Sequence, residues 1–363
     1  MKKIFIAATK QNDGKTTVAL GLIANFQKIF NRIGFIKPVG QRYLEDDGVK
    51  IDEDSILIKE SFKLYGVKSS IKDMSPVAVE RGFTERYIIR PNPKGITKNI
   101  RDSFGRVSQG QELVVIEGTG HAGVGSVFDH SNARVARLLG SKVIIVSSGG
   151  IGRPIDEIVL NRSLFEKEGV KILGAIVNKV MPDKFEKIND LVRRGLRRKG
   201  IDVLGVIPYN PMLSYPTIKQ ILEETDFKLL FGSSDNSLNN SVGSIVIGAM
   251  QPRDAAKYIK DHSLIITPGD REDIIKLVLD FCSQGRKISG IILSGDMMPE
   301  QDIADSLKCI SMPVMLARQD TYTVALLIHD LIVKIRPADR EKVETVKQMV
   351  RDYVDLPMIT ERL

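Results

Sequence analysis

Residues 1–32 constrain the fold more than any other part of the chain. An apolar run at residues 3–9 predicts a buried β-strand, and residues 15–32 carry the apolar spacing of a helix. Between them lies TKQNDGKTT, residues 9–17, which matches G-x-x-x-x-G-K-[ST] except that Thr9 stands at the first glycine. Main-chain N–H groups of such a loop converge with the positive end of the helix, which favours a bound anion.

The loop therefore predicts a site for the phosphates of a nucleotide, which we expect to be ATP with Mg²⁺. Lys15 is placed to reach the β- and γ-phosphates and is a candidate catalytic residue, and the Thr16 hydroxyl can join the magnesium shell. A strand–turn–helix with a chance Gly-Lys-Thr is the alternative. The candidate nucleotide-binding residues of this segment are Thr9, Lys10, Asn12, Asp13, Gly14, Lys15, Thr16 and Thr17.

Magnesium also needs carboxylate oxygens, and two acidic residues are candidates. Glu117 directly follows a buried apolar run, so its side chain is expected at the carboxyl edge of a sheet. Asp54 belongs to the acidic stretch 52–54 at the start of a predicted helix. Either Asp54 completes a metal site with Thr16 and Glu117, or the stretch is a solvated surface.

Strands and helices alternate along most of the first 231 residues. Further apolar runs rich in Val and Ile predict strands at residues 34–38, 112–116, 142–147, 172–178 and 203–207. Continuous apolar strands separated by helices indicate an α/β fold, with a mainly parallel sheet covered by helices on both faces. With the loop, this is a P-loop NTPase-type domain, predicted to span residues 1–231.

A second α/β unit is expected after the polar, turn-prone segment 232–241, which we interpret as a linker. Its predicted strands are 244–249, 263–267, 288–294 and 313–317. Its predicted helices are 253–259, 271–282, 300–308 and 322–333. This smaller domain covers residues 242–337. Residues 338–363 are predicted to form a C-terminal helix and tail that packs on either domain or on another subunit.

Two strand ends in the second unit carry the same Gly-Asp pair, at residues 269–270 and 295–296. Asp270 and Asp296 either cap the helices that follow or face a ligand, because ligands gather at the carboxyl ends of parallel strands.

Composition excludes several classes of function. The net charge of +8 includes a dense basic run, but its arginines alternate with apolar residues at helical spacing. A solvated helix face therefore explains the run, and nucleic acid is not expected as a partner. No apolar stretch is long enough to span a membrane and no secretory signal is present, so a cytoplasmic protein is expected.

Cys282 and Cys309 are interpreted as reduced, packed thiols. Residues 118–123 match G-x-G-x-x-G, but no helix pattern follows, which favours a turn beside the phosphate site over a dinucleotide site.

Residues 1 to about 230 resemble dethiobiotin synthetase and the related domain at the N-terminus of some bacterial phosphotransacetylases. The motifs that carry the resemblance are TKQNDGKTT from residue 9, GFIKPV from 34, DSILI from 54, IEGTG from 116, GAIVN from 174 and GVIP from 205. The resemblance implies that Lys15, Thr16, Asp54 and Glu117 organise ATP and magnesium.

The same resemblance assigns three further roles. It implies that Lys37 is catalytic and meets a phosphate or an acidic substrate group, and that Asn178 contacts the adenine. Lys10 corresponds to an extra loop lysine that reaches phosphates across a dimer interface in related ATPases, so a homodimer is expected. The segments GQRYL from residue 40 and HAGVG from 121 depart from the family, and the diamine-binding residues do not map onto them. The segment expected of a phosphotransacetylase catalytic domain does not follow.

Residues 242 to about 340 resemble the DRTGG domain. The matching segments are ITPGDRED from residue 266, IILSG from 291, DTYTV from 320 and KIRP from 334. Domains of this type are regarded as ligand-sensing or dimerising modules, which implies an unidentified small-molecule ligand.

Two hypotheses for function follow. The favoured one is a regulatory ATP- and magnesium-binding protein whose second domain senses a ligand or dimerises. The alternative is an ATP-dependent ligase or synthetase that activates a carboxylate or carbamate by phosphoryl transfer. A dethiobiotin synthetase of the known activity is a third and weaker interpretation.

Overall fold

The computed structural model describes residues 1–46, 48–62, 70–331 and 333–363. The chain divides into two compact units, the first formed by Met1–Tyr209 with Arg340–Leu363 and the second by Asn210–Asp339. The second unit thus begins earlier than the predicted boundary at residue 242. Residue 332, part of the predicted helix 322–333, lies outside the described residues.

The strands of the described residues are numbered in chain order. They are β1 Lys2–Ala8, β2 Ile33–Ile36, β3 Val39–Gly40, β4 Tyr43–Asp46, β5 Val49–Asp52, β6 Val77–Ala78, β7 Leu113–Glu117, β8 Lys142–Ser148, β9 Ile172–Val180, β10 Val203–Pro208, β11 Lys228–Phe231, β12 Ser244–Ile247, β13 Ser263–Pro268, β14 Gly290–Ser294 and β15 Val314–Leu316.

The α-helices are numbered in the same way. They are α1 Lys15–Phe26, α2 Glu53–Ser61, α3 Ile71–Met74, α4 Phe83–Ile89, α5 Pro93–Ser108, α6 Asn132–Leu139, α7 Gly152–Lys167, α8 Phe185–Arg197, α9 Ile218–Glu224, α10 Asp235–Leu238, α11 Pro252–Ala255, α12 Glu272–Ser283, α13 Gln301–Lys308, α14 Thr321–His329, α15 Arg340–Tyr353 and α16 Leu356–Arg362.

The first unit is built on a six-stranded sheet in the order β10-β9-β8-β1-β7-β2. Every neighbouring pair in it is parallel. The central strand β1 and its neighbour β7 are almost entirely buried, as expected for apolar strands covered on both faces. The predicted fold class is confirmed.

Parallel pairing brings the ends of five strands to one edge. Ile6 of β1 pairs with Glu117, and Ile36 at the end of β2 pairs with Ile116. On the other side of β1, β8 ends at Ser148, which pairs with Asn178 of β9. The loop after β1 therefore lies between Glu117 and the end of β8, at the carboxyl edge where α/β proteins bind ligands.

The C-terminal helix α15 packs on α1, the helix that follows the phosphate loop. A Cβ on Gly21 would lie 2.2 Å from Val350 Cγ2, so glycine is what permits this approach. Asn25 Nδ2 donates to the Lys347 carbonyl at 3.1 Å. Of the packing alternatives left open for residues 338–363, the structure therefore places α15 and α16 in the first unit.

The second unit holds a five-stranded sheet in the order β11-β15-β14-β13-β12, in which only β11 is antiparallel to its neighbour. Strand β11 was not predicted. The predicted linker 232–241 is wrong, because these residues belong to this unit and include α10. Its small polar residues bond to one another: Ser237 Oγ donates to the Gly232 carbonyl at 2.7 Å.

The basic run at the end of α8 is a solvated helix face, as predicted. Val192 and Leu196 are buried, whereas the arginines at positions 193, 194, 197 and 198 are exposed. The capping interpretation of Asp270 and Asp296 is wrong: Arg271 and Glu300 stand at the N-caps of α12 and α13. Cys309 is exposed rather than packed. Among the described residues, no helix is long and apolar enough to cross a membrane.

Candidate nucleotide site

The loop from Thr9 to Gly14 turns sharply and delivers the chain into α1. Asn12 and Gly14 have positive φ angles of 64° and 97°. Glycine is needed at position 14 for a second reason, because a Cβ there would lie 2.1 Å from Asn178 Nδ2. Asn178 Nδ2 donates to the Asp13 carbonyl at 3.0 Å, and this hydrogen bond stabilises the turned loop. A role for Asn178 at the adenine stays a prediction.

Thr9, which stands at the first glycine of the phosphate-loop pattern, forms hydrogen bonds that hold the loop in place. Its hydroxyl lies 2.8 Å from Asp13 Oδ2, 3.0 Å from Glu157 Oε2 and 3.0 Å from Ser147 Oγ. Asp13 accepts from the Lys10 N–H at 2.7 Å and from Ser148 Oγ at 2.6 Å. The Asp13 carboxylate thus holds the loop closed and is occupied by protein groups.

Lys15 is the first residue of α1 and is 8% exposed. Within the described part of the chain, its ammonium has no ion pair with a carboxylate. Burial lowers the pKa of Lys15, while the nearby Glu117 and Asp13 act in the opposite direction. Burying an ammonium that has no ion pair is energetically unfavourable, and a bound anion would compensate its charge. The surroundings of Lys15 therefore favour a negatively charged ligand.

Lys37, just beyond β2, has the opposite surroundings. Its Nζ lies 2.9 Å from Asp52 Oδ1 and 3.6 Å from Glu117 Oε1, and it makes a short contact with Asp54 Oδ2. Burial alone would lower the pKa of Lys37, but Asp54, Glu117 and Asp52 outweigh it and hold the pKa well above its ordinary value. Asp52 and Asp54 are buried, so the solvated-surface interpretation of these two residues is wrong.

Glu117 joins this cluster to the phosphate loop. The Thr16 hydroxyl donates to Glu117 Oε1 at 2.9 Å. Burial raises the pKa of Glu117 to about 7, and Asp54 acts in the same direction while Lys37 and Lys15 oppose it. Glu117 Oε2 is buried and has no hydrogen-bond partner among the described residues.

These donors fit a magnesium ion as part of its shell. Magnesium usually takes one or two carboxylates and keeps waters or phosphate oxygens at its other positions. Thr16, Glu117 and Asp54 supply a hydroxyl and carboxylates at one place, and Glu117 Oε2 has free accepting capacity. Among the described residues, no group of three or more His, Cys, Asp or Glu side chains could hold a metal ion without other ligands.

Lys10 lies on the outer side of the loop, half-exposed. Its ammonium pairs with Glu157 Oε1 at 2.6 Å, and Arg153 Nε donates to the same carboxylate oxygen at 2.8 Å. Burial opposes ionisation of Glu157, but the bonds from Lys10, Arg153 and Thr9 outweigh it and lower its pKa to about 2. The predicted reach of Lys10 across a dimer stays a prediction.

The structure gathers most of the predicted residues and adds others. The structure brings four of them into one cluster, beside Lys15: the buried Lys37, Asp54 and Glu117, and the half-buried Thr16. Thr17 lies in the first turn of α1, and the Asn12 carbonyl accepts from Lys179 Nζ at 2.7 Å. The sequence did not mark four residues that contact the loop or its cluster: Asp52, Ser147, Ser148 and Glu157. Only the two serines carried a signal, since they stand at the carboxyl end of the strand predicted at residues 142–147.

The glycine-rich turn 118–123 lies at the same edge. No helix begins at its third glycine, and the next α-helix starts at Asn132. Asn132 instead holds the turn, accepting from the Thr119 N–H at 3.1 Å and donating to the His121 carbonyl at 2.7 Å.

Comparison with known proteins gives matches over both units. Residues 2–217 match the AAA domain family, and residues 220–331 match the DRTGG domain family. The chain is 26% identical over 383 residues to the phosphate acetyltransferase of Pseudomonas putida, an alignment covering 100% of this chain and 52% of that protein. The phosphate acetyltransferase of Nitratidesulfovibrio vulgaris is 24% identical, with 99% of this chain and 51% of that protein covered. The chain thus spans about half the length of these curated relatives.

One of the solved structures with detectable similarity also contains a DRTGG domain. It contains the CBS and DRTGG domains of the regulatory region of Clostridium perfringens pyrophosphatase, complexed with the activator diadenosine tetraphosphate. The sequence identity is 21%, the TM-score is 0.26, and the match covers 37% of this chain and 60% of that chain.

Proposed function

The chain belongs to the AAA domain family through residues 2–217, and from this premise we propose that it is a regulatory protein that binds ATP with magnesium. Nucleotide occupies the carboxyl edge of the first unit. The second unit, which matches the DRTGG domain, senses a small-molecule ligand or holds a second copy of the chain.

The observation that carries the proposal is the contrast between two buried lysines. Lys37 is surrounded by three carboxylates, whereas Lys15 has no ion pair within the described residues although it is 8% exposed. The β- and γ-phosphates of a triphosphate would complete Lys15, as they complete the equivalent lysine of a phosphate loop. The N–H groups at the start of α1 would bind the same phosphates, because no intrahelical acceptor is available to them.

Bound magnesium would neutralise charge on the phosphate oxygens. Thr16, Glu117 and Asp54 would hold it, with Glu117 Oε2 as the carboxylate oxygen that lacks another partner. Asp13 and Asn178 would keep the loop in its turned conformation, so little ordering is required when nucleotide binds.

A regulatory role is supported by the second folded unit, which is joined to the nucleotide unit and matches a domain family of its own. Lys37, the residue expected to clamp an acidic acceptor, is paired with Asp52, Asp54 and Glu117. The ligase alternative keeps one specific observation in its favour: Lys37 lies against the candidate metal ligands, where an acceptor would sit beside the γ-phosphate.

Calorimetry with magnesium–ATP tests the binding proposal. We expect saturable binding to the wild type and a loss of about 10- to 100-fold in affinity for Lys15→Ala, because a charge-assisted contact to phosphate contributes about 1.5–3 kcal/mol. Lys187→Ala, an exposed lysine on α8, is the matched control and should bind as the wild type does. Equal affinity in Lys15→Ala would contradict the proposal.

A second experiment separates regulation from ligation. The phosphate released from ATP is measured with and without a panel of carboxylic and carbamic acids, and the oligomeric state is measured by light scattering with and without nucleotide. A nucleotide-dependent change of assembly, with no acid-dependent turnover, is the result expected for a regulator that forms homodimers. Turnover that depends on one acid would instead establish the ligase.

A further inference from the structure

Lys37 holds its ammonium where the proposed magnesium ligands meet. Its Nζ contacts Asp54 Oδ2 and lies 3.6 Å from Glu117 Oε1. That Glu117 oxygen also accepts from the Thr16 hydroxyl at 2.9 Å. All three of the residues predicted to bind metal are thus in one cluster with Lys37. Its charged groups are buried, since Lys37 is 6% exposed, Asp54 is 5% exposed and Glu117 is fully buried, whereas Thr16 is half-buried.

The charges explain why a cation is needed there. Asp52, Asp54 and Glu117 bring three buried carboxylates close to one another, and buried carboxylates are strongly unfavourable unless a cation compensates them. A metal ion at the same ligands would lie within a few ångströms of the Lys37 ammonium, and like charges repel strongly at that distance in a protein interior. The ammonium and the metal therefore compete for Asp54 and Glu117.

Asp52 gives the lysine a place that the metal does not need. Asp52 caps α2, accepting from the Asp54 N–H at 3.0 Å through the same oxygen that contacts Lys37 at 2.9 Å. This carboxylate is fixed by the helix start. It can keep the ammonium after Asp54 and Glu117 have been given up.

We propose that Lys37 is a built-in substitute for the metal. In the nucleotide-free protein, Lys37 neutralises Asp54 and Glu117. When the metal–nucleotide complex enters, Lys37 leaves these two carboxylates, stays paired with Asp52, and turns its charge toward the γ-phosphate or an acidic group beside it. Lys37 and Asp52 are then positioning residues that make metal binding depend on nucleotide. The inference rests on the proposed function, because it takes the metal to arrive with ATP at Thr16, Asp54 and Glu117.

The decisive experiment measures Mn²⁺ binding to the full chain without nucleotide, by electron paramagnetic resonance of the free ion. Lys37→Met removes the competing charge and keeps a long apolar side chain. We expect its Mn²⁺ affinity to exceed that of the wild type by at least about tenfold. Lys187→Met is the matched control and should leave the affinity unchanged. An affinity equal to or below that of the wild type overturns the proposal.

A second pair of variants covers the case in which Lys37→Met does not fold. Asp54→Asn removes one carboxylate, and Lys37→Met in that background leaves a cluster with less uncompensated charge. The proposal predicts tighter Mn²⁺ binding by Lys37→Met/Asp54→Asn than by Asp54→Asn alone. It also predicts that Mg²⁺ without nucleotide raises the melting temperature of Lys37→Met/Asp54→Asn by more than that of Asp54→Asn. Equal affinities in the pair and equal thermal shifts overturn it.

Failure of this inference is distinguishable from failure of the proposed function. Calorimetry of the wild type with magnesium–ATP reports the proposed function by itself. Nucleotide binding by the wild type, combined with unchanged Mn²⁺ affinity in Lys37→Met, rejects only the role given to Lys37. No nucleotide binding by the wild type rejects the proposed function whatever the Mn²⁺ titration shows.

Discussion

Replacement of Gly21 by alanine tests the contact between the phosphate-loop helix α1 and the C-terminal helix α15. A Cβ on Gly21 would lie 2.2 Å from Val350 Cγ2, 2.6 Å from Val350 Cβ and 3.2 Å from the Val346 carbonyl. Val350 and Val346 are both fully buried, so neither can move aside into solvent. The new methyl group therefore has to displace α15 or strain α1.

Two opposing effects set the magnitude. Alanine in place of glycine within a helix is favourable by about 0.5–1 kcal/mol, because glycine loses more backbone freedom on folding. One extra methyl in a packed interior costs about 1–3 kcal/mol, and a 2.2 Å approach belongs at the upper end of that range. We expect Gly21→Ala to lower the free energy of unfolding by about 1–2 kcal/mol.

Gly105 supplies the matched control. It lies within helix α5, is exposed, and a Cβ there would meet nothing within 4 Å. Gly105→Ala should therefore raise the free energy of unfolding by about 0.5–1 kcal/mol. The chain has no tryptophan, so urea unfolding is best followed by far-ultraviolet circular dichroism. If Gly21→Ala stabilised the protein as much as Gly105→Ala does, the described packing of α15 on α1 would be wrong.

Val350→Ala adds a test of the contact itself. Alone it should destabilise by about 2 kcal/mol, because it leaves a cavity between the helices. Combined with Gly21→Ala it should cost less than the sum of the two changes, because the new methyl occupies the space that the lost methyls leave. Additive effects would show that residues 21 and 350 are not in contact.

Three further predictions concern the loop and the second unit. Glu157→Gln should lower the free energy of unfolding by about 1–2 kcal/mol at pH 7, after allowance for solvent screening. Because folding lowers the pKa of Glu157 from 4.5 to about 2, the stabilisation by its carboxylate is present above pH 4.5 and is lost as the pH falls toward 2. Urea unfolding of the wild type and the variant across that pH range measures this loss. Gly14→Ala should weaken ATP binding at least tenfold in calorimetry, because φ is 97° and Asn178 blocks a Cβ. Arg271→Lys should cost about 1 kcal/mol and speed amide exchange at residues 248–250, because it loses the bonds to the Gly248 and Met250 carbonyls at 3.0 and 2.9 Å.

The parts of the site that depend on apolar periodicity, the phosphate-loop motif and strand order could be predicted from the sequence. Lys15 and Thr16 open a helix after an apolar strand, and Glu117 ends another apolar strand. Parallel pairing of β1 with β7 was then enough to bring Glu117 beside the loop, where Thr16 contacts it at 2.9 Å. Nothing beyond periodicity and the phosphate-loop pattern was needed for this core of the site.

Contacts between distant segments could not be predicted in the same way. Glu157 lies on α7, about 150 residues after Lys10 in the chain, and forms an ion pair with it. Nothing in the local sequence distinguishes this glutamate from a solvent-exposed residue of a helix, so the pairing could not be predicted. Asp52 was interpreted as one member of a solvated acidic stretch, but it is buried, where it pairs with Lys37 and caps α2. The polar segment 232–241 has the composition of a linker, yet its hydroxyls satisfy one another and it folds within the second unit.

A crystal structure with Mn²⁺ and a non-hydrolysable ATP analogue would show whether nucleotide and metal bind at the phosphate loop. We expect an anomalous scattering peak beside the Thr16 hydroxyl and Glu117, with the triphosphate against the Lys15 ammonium and the N–H groups at the start of α1. An ordered, empty loop at saturating nucleotide, or nucleotide bound at another place, would contradict this expectation.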